Sequence, residues 1–210
     1  MGGTTAPIDG RRARRERGRT AVIDAVFELA EEGKIPLTAE MVADRSRVSV
    51  ASIFRYFDGL DDLQYQTYQR FRERFAPLLA VAADGSREER IAGLVATRLD
   101  LYEQAGAMMA LGRLRSLEHQ ALLEASTETK TMLAAQVRDT FRRETAGTSP
   151  ARTAELVAVV DAFTSLETWD VMRRTHARSR AQIIRSWTRG VTVLIDDWQQ
   201  HDRPHEGITT

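Results

Sequence analysis

The amino-acid sequence predicts an all-α protein of about nine helices, with an N-terminal helix-turn-helix followed by a larger helical domain. Three observations lead there. Apolar residues recur three and four positions apart along nearly the whole chain. No segment sustains the period-two alternation of a half-buried strand. The prolines stand at Pro7, Pro36, Pro77, Pro150 and Pro204, each where a helix would start, stop or bend. The 210 residues suit one or two domains, and 42% hydrophobic with 29% charged residues favours a packed, soluble fold over disorder.

Taken in order, the first helix is expected from about Arg12 to Glu32. Val22, Ile23, Val26, Phe27, Leu29 and Ala30 form its apolar face, and Gly33 stops it. After a short loop, Thr38 is placed as an N-cap, with Glu40 in the first turn, of a short helix that ends near Ser46. Ser49 caps a second short helix, Val50 to Phe57, whose buried side is read as Val48, Ile53, Phe54 and Phe57. Asp58-Gly59 breaks the chain before a long helix from Leu60 to about Ala76. Further helices are expected over about 86–103, 107–117, 119–145, 151–176 and 180–200. Gly147 to Pro150 forms a clear break, with Ser149 as N-cap and Pro150 at the first helical position. The implied organisation is a basic flexible arm (1–18), a helix-turn-helix domain (19–65), a helical domain (66–202) and a polar tail (203–210).

Composition excludes several functions. No run of eighteen apolar residues exists to span a membrane, and the polar N-terminus lacks a signal core, so a cytoplasmic protein is expected. The absence of cysteine removes disulfides, thiolate metal sites and cysteine nucleophiles. His119, His176, His201 and His205 are scattered; His201 and His205 have metal-compatible spacing but sit in the polar tail beside Pro204. There is no glycine-rich phosphate loop and no nucleophile elbow. No catalysis, metal or cofactor is expected.

The formal net charge is zero, but the charge is unevenly spread. Arg11, Arg12, Arg14, Arg15, Arg17 and Arg19 stand against the single acid Glu16, while residues 58–210 carry 20 basic and 22 acidic side chains. A basic tip on a neutral body is the footprint of a protein that touches nucleic acid at one end.

Thr38 to Phe57 carries the chemistry. Two short helices joined by a tight turn form the unit that lays its second helix in the DNA major groove. That helix must bury one face and offer small or polar side chains on the other. The hydroxyls of Ser49, Ser52 and Tyr56 suit phosphate oxygens. Arg55 suits phosphate or a guanine edge, and Val50 and Ala51 suit thymine methyls.

These residues resemble the tetracycline-repressor (TetR) family. Ile23 to Leu29 followed by Gly33 looks like its first helix, and Thr38 to Ala43 like its second. Val48-Ser49-Val50-Ala51-Ser52-Ile53-Phe54-Arg55-Tyr56-Phe57 is similar to its turn and recognition helix, and Leu63 fits the start of its fourth. The resemblance covers about residues 20–65. It implies a homodimeric transcriptional regulator, usually a repressor, that binds a palindromic operator and responds to a small molecule held in the C-terminal domain. It also implies that Thr38, Ser49, Val50, Ala51, Ser52, Arg55 and Tyr56 face DNA. The sequence departs from the family pattern at four positions. Arg47 stands where glycine is usual, which would strain a left-handed backbone. Ala51 replaces a frequent glycine, Phe54 replaces a frequent tyrosine and loses a phosphate-binding hydroxyl, and Leu60 stands where a lysine commonly grips phosphate. The arginine arm, with Arg14, Arg15, Arg17 and Arg19 as contacts, would offset these losses by entering a minor groove or tracking phosphates.

Within the C-terminal domain, the last two helices carry broad apolar stripes that suit a core or a shared four-helix interface. The resemblance favours the interface and implies Val160, Ile184, Trp187, Val191, Ile195 and Trp198 as dimer contacts. Tyr102, Met109, Arg113, Phe163 and Glu167 have the chemistry of a ligand pocket, although methionine and aromatic residues at helical spacing equally suit a core. An anion would pair with Arg113 or Arg115 and a cationic drug with Glu167, and both remain open. A helical scaffold that binds protein without reading DNA sequence is the alternative function.

Overall fold

The computed structural model describes residues 6–79 and 84–201, and the expected polar tail 203–210, with His205, lies outside them. Among the described residues there is no strand. Helix α1 spans Ala6–Glu31, α2 Ala39–Ser46, α3 Val50–Tyr56 and α4 Leu60–Leu79. They are followed by α5 (Arg87–Ser116), α6 (Gln120–Thr140), α7 (Pro150–Phe163) and α8 (Leu166–Asp170). A π-helical turn, Val171–Thr175, then leads to α9 (Arg180–His201).

The caps sit where the sequence places them. Thr38 accepts from the Met41 amide at 3.3 Å, Ser49 from Ser52 at 3.2 Å, and Ser149 from Arg152 at 3.3 Å with Pro150 in the first turn. Three elements differ from expectation. Residues 6–18 are helical where a flexible arm is expected, because arginine is a good helix former and Arg15 of this segment, with Arg19 just beyond it, is tied to α3. The two helices expected over 86–103 and 107–117 are one, and Gly106 is buried inside it rather than ending it. The helix expected over 151–176 breaks at Thr164, whose hydroxyl donates to the Val160 carbonyl at 2.8 Å. Ser165 then starts α8 by accepting from the Thr168 amide.

The chain forms two compact units, residues 1–75 with 105–127 and residues 76–104 with 128–210. A boundary at residue 65 therefore misses the return of 105–127 to the N-terminal segment. Arg115 Nη2 donates to the Leu37 carbonyl at 2.9 Å, and His119 Nδ1 lies 3.3 Å from Asp61 Oδ1. The core of this first unit includes Val22, Phe27, Val42, Ile53, Phe57, Leu63, Phe71 and Phe75. The Arg74 guanidinium lies over the rings of Phe27 and Phe75 at 5.4 and 5.2 Å, bridging α1 and α4.

In the second unit, Ile91 and Leu94 of α5 pack with Val137 and Phe141, with Leu156, Val157 and Val160 of α7, and with Val191 and Ile195 of α9. Arg98 is fully buried among them. Its Nε donates to Gln136 Oε1 at 2.7 Å and its Nη1 to the Tyr102 hydroxyl at 3.0 Å. Its Nη2 donates to the Leu133 carbonyl at 2.7 Å and to Asp161 Oδ1 at 2.8 Å. The Tyr102 hydroxyl in turn donates to the Thr164 carbonyl at 3.0 Å, and burial pushes its pKa above the ordinary tyrosine value.

This core corrects four of the expected dimer contacts. Val160, Trp187, Val191 and Ile195 have no solvent exposure within the single chain, so they face their own unit and cannot meet a partner. Their stripes are core stripes, as the apolar face of a globular helix most often is. Ile184 and Trp198 are half-buried, and Trp198 packs against the same core.

Helices α7 and α9 approach closely at Gly190, where the ring of Phe163 occupies the space that a Cβ would need. Gly190→Ala forces the ring or the helix aside, and overpacking of this kind costs about 1–3 kcal/mol. A lowered midpoint in thermal unfolding is the expected result, and Phe163→Leu in the same chain should recover part of it.

Candidate nucleic-acid interface

Helix α3 has seven residues, too few to be stable alone, so its position depends on what holds its ends. At the N-terminus Ser49 caps it, and the Ser49 hydroxyl also donates to Ser52 Oγ at 3.0 Å. At the C-terminus the Tyr56 carbonyl, left over by the helical ladder, accepts from Arg15 Nη2 at 3.1 Å and Arg19 Nη1 at 2.6 Å. Two cations at a helix C-terminus also meet the negative end of its dipole. Arg19 further lies 4.9 Å from the Phe57 ring centre and 3.9 Å from Asp62, which accepts from the Asp58 amide at 3.0 Å. Gly18 makes this junction possible, since a Cβ there would run into the Tyr56 ring.

Helix α2 is tied to α1 by charge. Arg45 donates to Glu28 at 3.1 Å and Glu32 at 2.8 Å. The hydrogen bond from Arg45, and then that from Lys34, lower the Glu32 pKa from 4.5 to about 2. The Arg45 pKa is raised by the hydrogen bonds that it donates, that to Glu32 first and then that to Glu28. Arg47, with φ 56° and ψ 30°, ends α2 in the left-handed region, so the arginine takes a conformation that glycine adopts without strain.

The expected DNA-facing residues divide into two sets. Thr38, Ser49, Ala51 and Arg55 are exposed, and Val50, Ser52 and Tyr56 are half-buried, all on or beside α2 and α3. Arg55 Nη2 donates to Ser52 Oγ at 3.0 Å, and its guanidinium lies over the Tyr56 ring at 5.7 Å. Arg14 and Arg17 are exposed on α1 without a partner among the described residues. Arg15 and Arg19 hold the Tyr56 carbonyl instead, so they position α3 rather than extend outward. Phe54 is a correction. It is 56% exposed rather than buried, because Ile53 and Phe57 already fill the inward positions one turn apart. Its exposure was legible only from that i, i+4 pair.

No protein-family model matches the chain, and no curated protein matches it. Solved structures do. A TetR-family transcriptional regulator from Streptomyces coelicolor has a TM-score of 0.69 at 15% identity, covering 92% of this chain and 92% of that one. A transcriptional regulator from Rhodococcus sp. RHA1 gives 0.67 at 16% identity, covering 87% and 96%. The chain has the TetR-family fold. A third solved structure, the multidrug binding protein EbrR complexed with imidazole, gives 0.58 at 20% identity, covering 84% and 93%.

On this TetR fold the expected ligand residues are divided between the two units. Met109 and Arg113 belong to the first unit, and Tyr102, Phe163 and Glu167 to the second. The Tyr102 hydroxyl is used by Arg98 and the Thr164 carbonyl, and Phe163 packs against Gly190 and the core. The second unit instead holds a cleft of about 590 Å³ beside the π-helical turn, lined by Glu103, Trp169, Arg173, Arg174 and Ala177. Glu103 of this lining also binds Arg180, which pairs with Asp100 at 2.6 Å. Sequence reading named Glu167, two residues from Trp169, but not this cleft. Its one advance signal was the arginine pair next to the tryptophan.

The Glu32 shift has a testable consequence. A carboxyl held below its ordinary value stabilises the fold above that value and stops doing so once acid protonates it. The contribution is therefore complete above pH 4.5 and lost between pH 4.5 and about 2. Thermal unfolding across this window should fall less steeply with acid for Glu32→Gln than for the parent chain; parallel curves would show that Glu32 contributes nothing.

Proposed function

We propose that the protein is a sequence-specific, ligand-responsive DNA-binding regulator that acts as a homodimeric repressor on a palindromic operator. The observation that carries this reading is the junction at Tyr56, where the arginine-rich end of α1 is locked to the C-terminus of the helix that would enter the major groove. A bare helical hairpin has no need of such a lock. The neighbouring regulators of the same fold support it, and no helix among the described residues is long and apolar enough to cross a membrane.

In this reading Ser49, Val50, Ala51, Ser52, Arg55 and Tyr56 approach the groove and its phosphates, with Thr38 capping α2 at their edge. Arg14 and Arg17 add sequence-independent phosphate contacts from the helical arm. The partner subunit would be met by the outward faces of α7 and α9, where Val159 and Val193 remain exposed, rather than by their buried stripes. Two recognition helices would then sit about 34–36 Å apart to enter successive major grooves. An effector in the cleft beside the π-helical turn, a type of irregularity common at functional sites, would favour a different separation and release DNA.

Selection of binding sites from random duplex DNA tests the reading. An enriched inverted repeat is expected; binding without any motif, vanishing as salt rises, would favour the protein-binding scaffold. With the selected operator in hand, replacing Arg14 and Arg17 by alanine should spare the Tyr56 lock and reduce affinity only through lost phosphate contacts. Each lost contact lowers the slope of log affinity against log salt by about 0.9. Gly18→Ala should behave differently. Its gain in helix propensity of about 1 kcal/mol keeps the melting temperature near that of the parent, while displacement of Tyr56 weakens operator binding.

A further inference from the structure

The outward face of α3 is more apolar than a phosphate-gripping surface requires. Val50 and Phe54 lie one turn apart and Ala51 lies between them on the same side, the i, i+3 and i, i+4 relation that brings side chains together. Phe54 is 56% exposed and Ala51 is exposed, so the apolar surface is open to whatever the helix meets. The polar residues of α3 lie apart from it and are joined to one another. Ser49 donates to Ser52, Arg55 donates to Ser52, and Arg55 covers the Tyr56 ring. The helix thus has two sides, a linked polar row and an apolar face that ends in a phenyl ring.

Of the groups on base edges in the major groove, the thymine C5-methyl alone is apolar. A phenyl ring makes no hydrogen bond with phosphate, and pressed against a guanine or cytosine edge it would strip water from polar atoms without replacing it. We propose that Phe54, together with Val50 and Ala51, reads thymine methyl groups and makes thymine the preferred base at the centre of each half-site. This inference rests on the DNA-binding reading above. It goes beyond it by giving the operator a chemical character and by assigning specificity to a residue whose ring carries no hydroxyl.

Deoxyuridine tests it, because it keeps every hydrogen-bonding group of thymine and lacks only the methyl. The full-length protein is titrated with its selected operator and with the same duplex carrying deoxyuridine in place of each half-site thymine. Binding should weaken about fourfold for each contacted methyl removed, the effect of withdrawing one buried carbon from an apolar contact. Phe54→Ala should weaken binding to the thymine operator and bring the two duplexes close to equal affinity, while Phe54→Leu keeps a preference for thymine. The side chain is exposed, so both variants should melt as the parent does. Equal affinity of the parent for both duplexes would overturn the inference and leave sequence-specific binding standing. So would an undiminished thymine preference in Phe54→Ala, which places the methyl contacts elsewhere. Enrichment of no motif in the selection would overturn the DNA-binding reading itself and this inference with it.

Discussion

A guanidinium with no access to water organises the second unit. Burying a charge is costly unless it is paired and hydrogen-bonded, and Arg98 meets that demand by using all three of its nitrogens on groups from several elements. Asp161 comes from α7, Gln136 and the Leu133 carbonyl from α6, and Tyr102 from the next turn of α5 itself. Tyr102 carries the connection on to the Thr164 carbonyl, at the point where α7 ends. Sliding any of these helices by one residue would leave a buried donor or acceptor alone, so the bonds select one register among those an apolar core would tolerate. Arg90, a little over two turns earlier on α5, uses the same device with the Thr140 and Gly85 carbonyls and Glu144.

The first unit uses cations at a helix end instead. Helix α3 has one buried apolar residue of its own, Ile53, with Phe57 just beyond it, which is little for a segment that must hold a fixed angle. Its order comes from the Ser49 cap and from Arg15 and Arg19 on the Tyr56 carbonyl. The arginine cluster therefore has two jobs divided by position. Arg15 and Arg19 hold the C-terminus of α3, while Arg14 and Arg17 are exposed. A charge run alone gives no hint of that division.

Much of the local structure was legible. Thr38, Ser49 and Ser149 cap helices because a short polar side chain before an apolar-periodic run has one favourable use, and all three are found in it. What was not legible depends on contacts distant in sequence. The lock at Tyr56 joins residues 41 and 37 positions apart, and without it a run of arginines reads as a solvated arm. Periodicity could not say whether the stripe through Trp187, Val191 and Ile195 faces its own core or another subunit, since both require the same residues. The break at Thr164 was hidden in an apolar run, although Ser165 and Thr168 together mark a helix start. Phe54 was misplaced because, in a seven-residue helix, neighbouring apolar residues differ by about 100° and the pattern is too short to fix its phase.

Helix α1 is continuous over 26 residues, about 39 Å at 1.5 Å per residue, from the arginine tip to the residues packed in the core. An unstructured arm would surrender conformational freedom on each encounter and would search space independently of the body. A rod does neither. Because the rod is fastened to α3 near its middle, a rotation of about 10° carries its tip through roughly 3 Å, the length of a hydrogen bond. Small angular changes at α3 are thereby passed to the arginine-bearing end of α1, so that the two move together.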